Sequence, residues 1–399
     1  MLNKKAFILL FIIIVSLFNF SFFISSVNAH NPTWWNYDWK QRLEFTVNST
    51  LVDSNLTNFP ILIYLDENIV NWGDIQNNLD DIRFIDDYLN ELNYEIDDLV
   101  LNFEAWFHVA LNCSASVDTY FFMYYDNKFC DSGENAEAVW DTDFVMVQHM
   151  NDATTSTILD STSNDNDGTK KAANEPIETT GKIGKAQDFA GDDDYINCGD
   201  SIDLKFDTSD FSVSVWFKTS SIAHQIIIGN QASGQKGYAV YLHPTNQYVY
   251  VSIKGVDATV ALHSSVALND GVDHLVTLTV DRSGNALLYI DGEYITAVDV
   301  SGVGSIISAF DLYIGATVNL PVFDGVIDEP QISDGVWSSA WVGASYYSGT
   351  LELVIVGYHE HASDISLIED INDNTLIIII VLVVACSAFL VTITHERGK

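Results

Sequence analysis

Apolar residues in this chain come in short runs, rich in aromatic and β-branched types and separated by Asn, Asp, Gly and Pro. Such runs at 43–47, 59–65, 82–85, 103–110 and 120–125 predict the strands of a first β domain over residues 30–140. An antiparallel sandwich or partly closed barrel accommodates them, because sheets of this kind bury one face against each other. A short helix or loop is expected over 69–79. Beyond residue 141 the alternation is stricter. Phe211, Val213, Val215 and Phe217 fall on one face of a pleated strand, with Ser212, Ser214 and Lys218 mainly on the other. Segments at 226–228, 238–242, 248–253, 275–280, 287–290, 311–314 and 323–327 extend this into a second, larger β domain over 141–358. Asp291-Gly292 marks a tight hairpin turn before 293–298, since both residues tolerate positive φ. The Ser, Asn, Asp and Gly of 160–168 cannot build a core and read as an exposed loop within that domain.

The two ends carry longer apolar stretches. Lys4 and Lys5, the apolar residues 6–24 and the small-residue site Val27-Asn28-Ala29 follow the pattern of a signal peptide over 1–29. Residues 376–394 carry no charge and are about long enough to cross a bilayer. Glu360, Asp364, Glu369, Asp370 and Asp373 precede them, and Arg397 and Lys399 follow. The positive-inside rule then predicts a single-pass cell-membrane protein with its N-terminal ectodomain outside. In that reading 359–375 is a juxtamembrane stalk, 376–394 a transmembrane helix and 395–399 a cytoplasmic tail.

Charge narrows the partners. Fifty-five acidic against 17 basic residues exclude nucleic acid, whose phosphates such a surface repels. Divalent cations, basic partners and uncharged glycans remain, as does a simple solubility role. Cys113 and Cys130 are the nearest pair for a disulfide. The expected strand between them spans roughly 20 Å, whereas a disulfide needs Cα atoms within about 7 Å, so that pairing stays open. Cys198 has no evident mate, and Cys386 falls in the apolar C-terminal stretch. Asn48, Asn55 and Asn112 begin glycosylation sequons.

Several blocks follow one another in a recognisable order. They are 141–150, the Asx-rich 160–169, Gly184 to Ile196, Phe211-Ser-Val-Ser-Val-Trp-Phe217, Asp270 to Val276, Leu288-Tyr-Ile-Asp-Gly292 and Phe323-Asp-Gly-Val-Ile-Asp-Glu329. This set resembles a laminin-G-like, concanavalin-A-like jelly roll. The first domain resembles the family known as DUF2341, through its tryptophan-rich start at Trp34, Trp35 and Trp39 and the blocks Asp81-Ile-Arg-Phe84 and Tyr120-Phe-Phe-Met-Tyr-Tyr125. The resemblance implies an all-β fold class, a β-sandwich N-terminal domain followed by a concanavalin-A-like jelly roll, a combination found in prokaryotic surface proteins; the uncharged stretch 376–394 adds one C-terminal transmembrane helix to that expectation.

Candidate chemistry is sparse. Asp194 and Asp328, within Asp192-Asp193-Asp194 and Asp328-Glu329, are the candidate calcium ligands, since Ca²⁺ takes six to eight oxygens and related jelly rolls hold it near a sheet edge. The competing reading makes them turn or edge residues that accept from backbone amides. A glycoside hydrolase of this fold superfamily needs paired carboxylates alternating on one strand, as in Glu-x-Asp-x-Glu. Glu95-Ile96-Asp97-Asp98 is the nearest match, lacks the closing glutamate and falls in the first domain. No H-E-x-x-H, C-x-x-C or Walker-type loop is present. His359 and His361 alternate but are too few for a metal site without outside ligands. Tyr238, Tyr241, Tyr248 and Trp337 are candidates for stacking on sugar rings or for core packing. These features favour a non-enzymatic surface recognition or adhesion protein for a glycan or protein ligand, over a structural envelope or filament subunit and over a polysaccharide hydrolase.

Overall fold

Alternation decides the strands and burial decides how they stack. In a computed structural model, residues 33–101, 103–173, 175–317 and 322–363 are described. They divide between two units, and 38–86 together with 90–360 form the larger. The smaller contributes 33–37, 87–89 and 361–363, and within it Trp34 and Tyr37 stack at 6.3 Å.

The larger unit begins with two antiparallel sheets. One orders Val354–His361, Gln41–Val47, Thr119–Tyr125, Arg83–Asp86 and Glu91–Leu92 side by side. The other orders Leu56–Asp66, Glu104–Cys113 and Tyr94–Val100. Phe45, Ile61, Ile63, Phe84, Phe107, Val109 and Phe121 fill the space between them. The strand Val354–His361, distant in sequence, lies beside Gln41–Val47. There the Glu360 carboxylate meets the buried Arg42 guanidinium at 2.5 Å, and Tyr125 Oη stands 2.7 Å from His359 Nδ1. His359 is therefore a strand residue with protein partners.

The jelly roll is two eight-stranded sheets. Phe211–Lys218 lies between His274–Val280 and Asp324–Ser333, and Phe144–Val147 joins the far end of the last. The facing sheet carries Gln225–Gly229, Gly237–Leu242, Val249–Lys254 and Thr259–His263 in order. Phe211, Val213, Val215 and Phe217 enter the core with Val240, Val251 and Leu278, as their alternation requires. Asp291 and Gly292 take φ of 52° and 79° between the paired Ile290 and Glu293, the turn expected of them.

The membrane expectations are corrected, and an open question about the cysteines is answered. The described fold is all-β, and the expected transmembrane helix finds no support in it: among the described residues no helix is long and apolar enough to cross a membrane. Their α-helix, Ser339–Gly349, has 11 residues and reaches about 16 Å, half a bilayer core. The single-pass localisation and the membrane partner rested on a transmembrane helix and are not supported by the described structure; segments 1–29 and 376–394, from which leader and anchor were read, lie outside the described residues. Cys113, Cys130 and Cys198 are free thiols, so the open disulfide is not formed.

Candidate functional sites

The three-stranded sheet turns its second face toward the jelly roll, and apolar seams join them. Leu62 meets Ile183, Trp216 and Leu275 in one seam; Ala110 meets Trp140, Phe144, Tyr289, Trp337 and Val342 in another. Between these seams lies a buried polar cluster. His108 projects from the middle of its strand, directly opposite Glu95. The register then slips between Ile96 and Asp98, so Asp97 is the extra residue of a β-bulge. A second slip, between Ser214 and Trp216 of the neighbouring strand, makes room for Glu329, whose φ is 48°. That left-handed conformation is costly for a side chain without glycine's freedom, and it aims the carboxylate at the same place. His149 enters just past Phe144–Val147.

All four side chains are buried, and their ligand-type atoms lie within 4.8 Å of one another. His149 Nδ1 is 2.7 Å from Glu329 Oε1 and 3.7 Å from Asp97 Oδ1. His108 Nε2 is 3.4 Å from Asp97 Oδ2 and 3.9 Å from Glu329 Oε2. On its other side the His149 ring faces Glu95, Nε2 to Oε2 3.1 Å. Glu95 accepts from Trp140 Nε1 at 2.6 Å and from Ser161 Oγ at 2.5 Å. Burial opposes charging His149, yet Glu329, Asp97 and Glu95 raise its pKa well above the ordinary imidazole value. Burial likewise raises Glu95, but His149 and Ser161 overcome it and hold its pKa at about 2. Burial beside Glu329 pushes Asp328 well above the carboxylate range.

The two candidate calcium residues do not meet. Asp328 Oδ2 accepts from the Lys182 and Ile183 amides. Asp194 accepts from Ala190 N. Ala190 pairs with Asp324, four residues from Asp328 and about 13 Å along the strand. Asp194 groups instead with Glu175 and Asp193, where the Lys171 ammonium already sits on both neighbours. Asp160 is likewise an acceptor for the amides of Val147, Thr162 and Asn166.

A second feature lies on the outward face of the other jelly-roll sheet. Val249, Val251 and Ile253 point inward, so Tyr250 points out. Tyr241, Tyr250 and His263 pair in register across three strands, with centroids 5.6 Å and 4.6 Å apart. His243 and Tyr248 join the row. Beside it opens a cleft of about 420 Å³ lined by His224, Gln231, Tyr241, Ser252, Lys254 and Thr259 among others. Of the aromatic candidates, Tyr241 and Tyr248 belong here, whereas Tyr238 is core and Trp337 lies in a seam.

Residues 190–343 match the family described as the concanavalin A-like lectin/glucanases superfamily. The chain thus contains a lectin-type, concanavalin-A-like jelly roll. The match begins after the first domain and leaves its resemblance to DUF2341 without support. No curated protein matches the chain. Among solved structures, the binding domain of Paraclostridial Mosquitocidal Protein 1 is similar at 13% identity and TM-score 0.44, over 52% of each chain. Domain 4 of AbnA, an extracellular GH43 arabinanase from Geobacillus stearothermophilus, in complex with arabinotriose, is similar at 19% identity and TM-score 0.42, over 50% of this chain and 96% of that one. The receptor binding domain of botulinum neurotoxin D follows at 15% and 0.40, over 51% and 52%. The chain spans about half the length of the first and third of these.

Proposed function

We propose that the protein is a non-enzymatic recognition protein whose jelly roll binds an uncharged oligosaccharide along the Tyr241, Tyr250 and His263 row. The cross-strand register of those three rings carries the reading. Stacked rings turn their edges to solvent, so phenolic hydroxyls and imidazole nitrogens stand beside apolar ring carbon over about 10 Å. Sugars present that same mixture of hydroxyls and C–H surface, and the adjoining cleft is of ligand size. The similarity to a lectin and glucanase superfamily agrees with a carbohydrate ligand. Of its two functions, binding is favoured over hydrolysis. Hydrolysis needs two carboxylates in an open cleft, whereas Glu95 and Asp97 are both buried, away from the surface.

Calorimetric titration of the full chain with a panel of neutral oligosaccharides tests this. At least one is expected to bind saturably, and Tyr250→Ala is expected to weaken it about tenfold or more, the worth of one good aromatic contact. Absence of binding across the panel, or an unchanged affinity in Tyr250→Ala, overturns the reading.

A further inference from the structure

The buried cluster between the three-stranded sheet and the jelly roll asks for a cation. Both oxygens of Asp97 and both ring nitrogens of His108 are buried without a protein hydrogen-bond partner, in residues each 3% exposed. Polar atoms taken out of water in this way forfeit their hydration, and native cores rarely leave them so. An imidazolium at His149 answers Glu329 and Glu95, which flank its two nitrogens. It leaves His108 and Asp97 with looser approaches alone, 3.4 Å to each other and 3.7 Å from Asp97 to His149, without hydrogen-bond geometry.

We propose that Asp97, His108, His149 and Glu329 bind a single zinc-type dication that clamps the first β sheets to the jelly roll. Donor chemistry selects the ion. Two imidazoles and two carboxylates suit zinc or a similar first-row metal, whereas calcium takes oxygens alone and more of them. Separation is compatible with one shared ion. Four ligand atoms about 2.1 Å from a tetrahedral centre stand about 3.4 Å apart; here one ligand atom from each residue lies within 4.8 Å of the others, and the imidazole-to-carboxylate contacts, taken over both oxygens of each carboxylate, run from 2.7 to 3.9 Å. Charge agrees as well, because two carboxylates with neutral imidazoles offset a dication inside a dry seam. With four protein ligands the sphere is closed, which marks a structural rather than a catalytic metal. Glu95 then plays the outer carboxylate that orients a metal-bound histidine, itself fixed by Trp140 and Ser161. A cavity of about 40 Å³ borders His108 and Glu329. Two bulges and a left-handed glutamate, otherwise costs to the ladder, are the devices that bring the ligands together.

The test uses the full chain, stripped with a chelator, dialysed and titrated with zinc, cobalt or calcium chloride. Zinc is expected to bind at one ion per chain and to raise the melting temperature, calcium to do neither, and cobalt to give the intense visible absorption of a tetrahedral site. Asp97→Asn combined with His108→Gln is expected to abolish that stoichiometry. Glu95→Gln is expected to keep it while weakening affinity about 10- to 100-fold. Zinc content unchanged in the double variant overturns the site. Should that variant fail to fold, cobalt on the unaltered chain decides: a weak octahedral spectrum, or none, overturns it equally.

Discussion

His274 shows what a single side chain does at a sheet margin. Its Nδ1 stands 2.8 Å from Asp291 and its Nε2 3.2 Å from Asp270. The hydrogen bond to Asp291 outweighs burial and raises the imidazole pKa above its ordinary value. Because the folded pKa exceeds the unfolded one, the stabilisation is complete below about pH 6.5 and is lost as pH rises through the folded value. His274→Gln is therefore expected to destabilise the protein at about pH 6 and to differ little from the parent once pH passes that raised value. Urea unfolding across the range checks it, and a difference that grows with pH contradicts it. At this scale some of the chemistry was legible. Asp328-Glu329 stands out as an acidic pair in the sequence, but only the bulge shows that Glu329 is the member aimed into the cluster. His108 sits in an apolar run where a lone histidine ordinarily means core, and the sequence gives no reason to single it out.

At the scale of elements, Ser339–Gly349 works as a wedge. Ala340 and Ala344 pack with the first domain's core, Val342 enters the Trp140 seam, and Tyr346 stacks on Trp216 at 5.8 Å. Small residues let the helix come close: a Cβ on Gly349 would stand 2.7 Å from the Trp216 ring. Ser338 caps the helix by accepting from Trp341 N at 3.2 Å. Ser338→Ala is expected to cost about 1 kcal/mol, read from denaturant midpoints, through an unsatisfied N-terminal amide. The strand Tyr94–Val100 escaped the sequence reading because Glu95, Asp97 and Asp98 break its apolar pattern. Those acids are tolerated there because the face they occupy is a polar pocket within the protein and not oil.

For the whole molecule, the shared seams have a thermodynamic consequence. Separating the first sheets from the jelly roll would expose Leu62, Ala110, Trp140, Trp216 and Tyr289 together, and would strand the carboxylates and imidazoles between them. Calorimetry is expected to show one cooperative unfolding transition for both β parts. Two resolved transitions would mean that the seam contributes little. The single-pass anchor belongs to this scale also. It rests on length, absence of charged residues and flanking charge alone, criteria that describe a segment in isolation.

The sequence by itself determined the strands with clean alternation and the Asp291-Gly292 turn, because each depends on neighbours a few positions apart; the jelly-roll character of the larger domain was legible only through the resemblance of its ordered blocks to a known family. Tertiary structure alone decided which residues form sites. Tyr241, Tyr250 and His263 meet through pairing register. Asp97, His108, His149 and Glu329 span more than half the chain and meet through two bulges and a packed seam. No spacing along one chain encodes a convergence built by sheets stacking on sheets, since that geometry is set by burial of distant apolar faces.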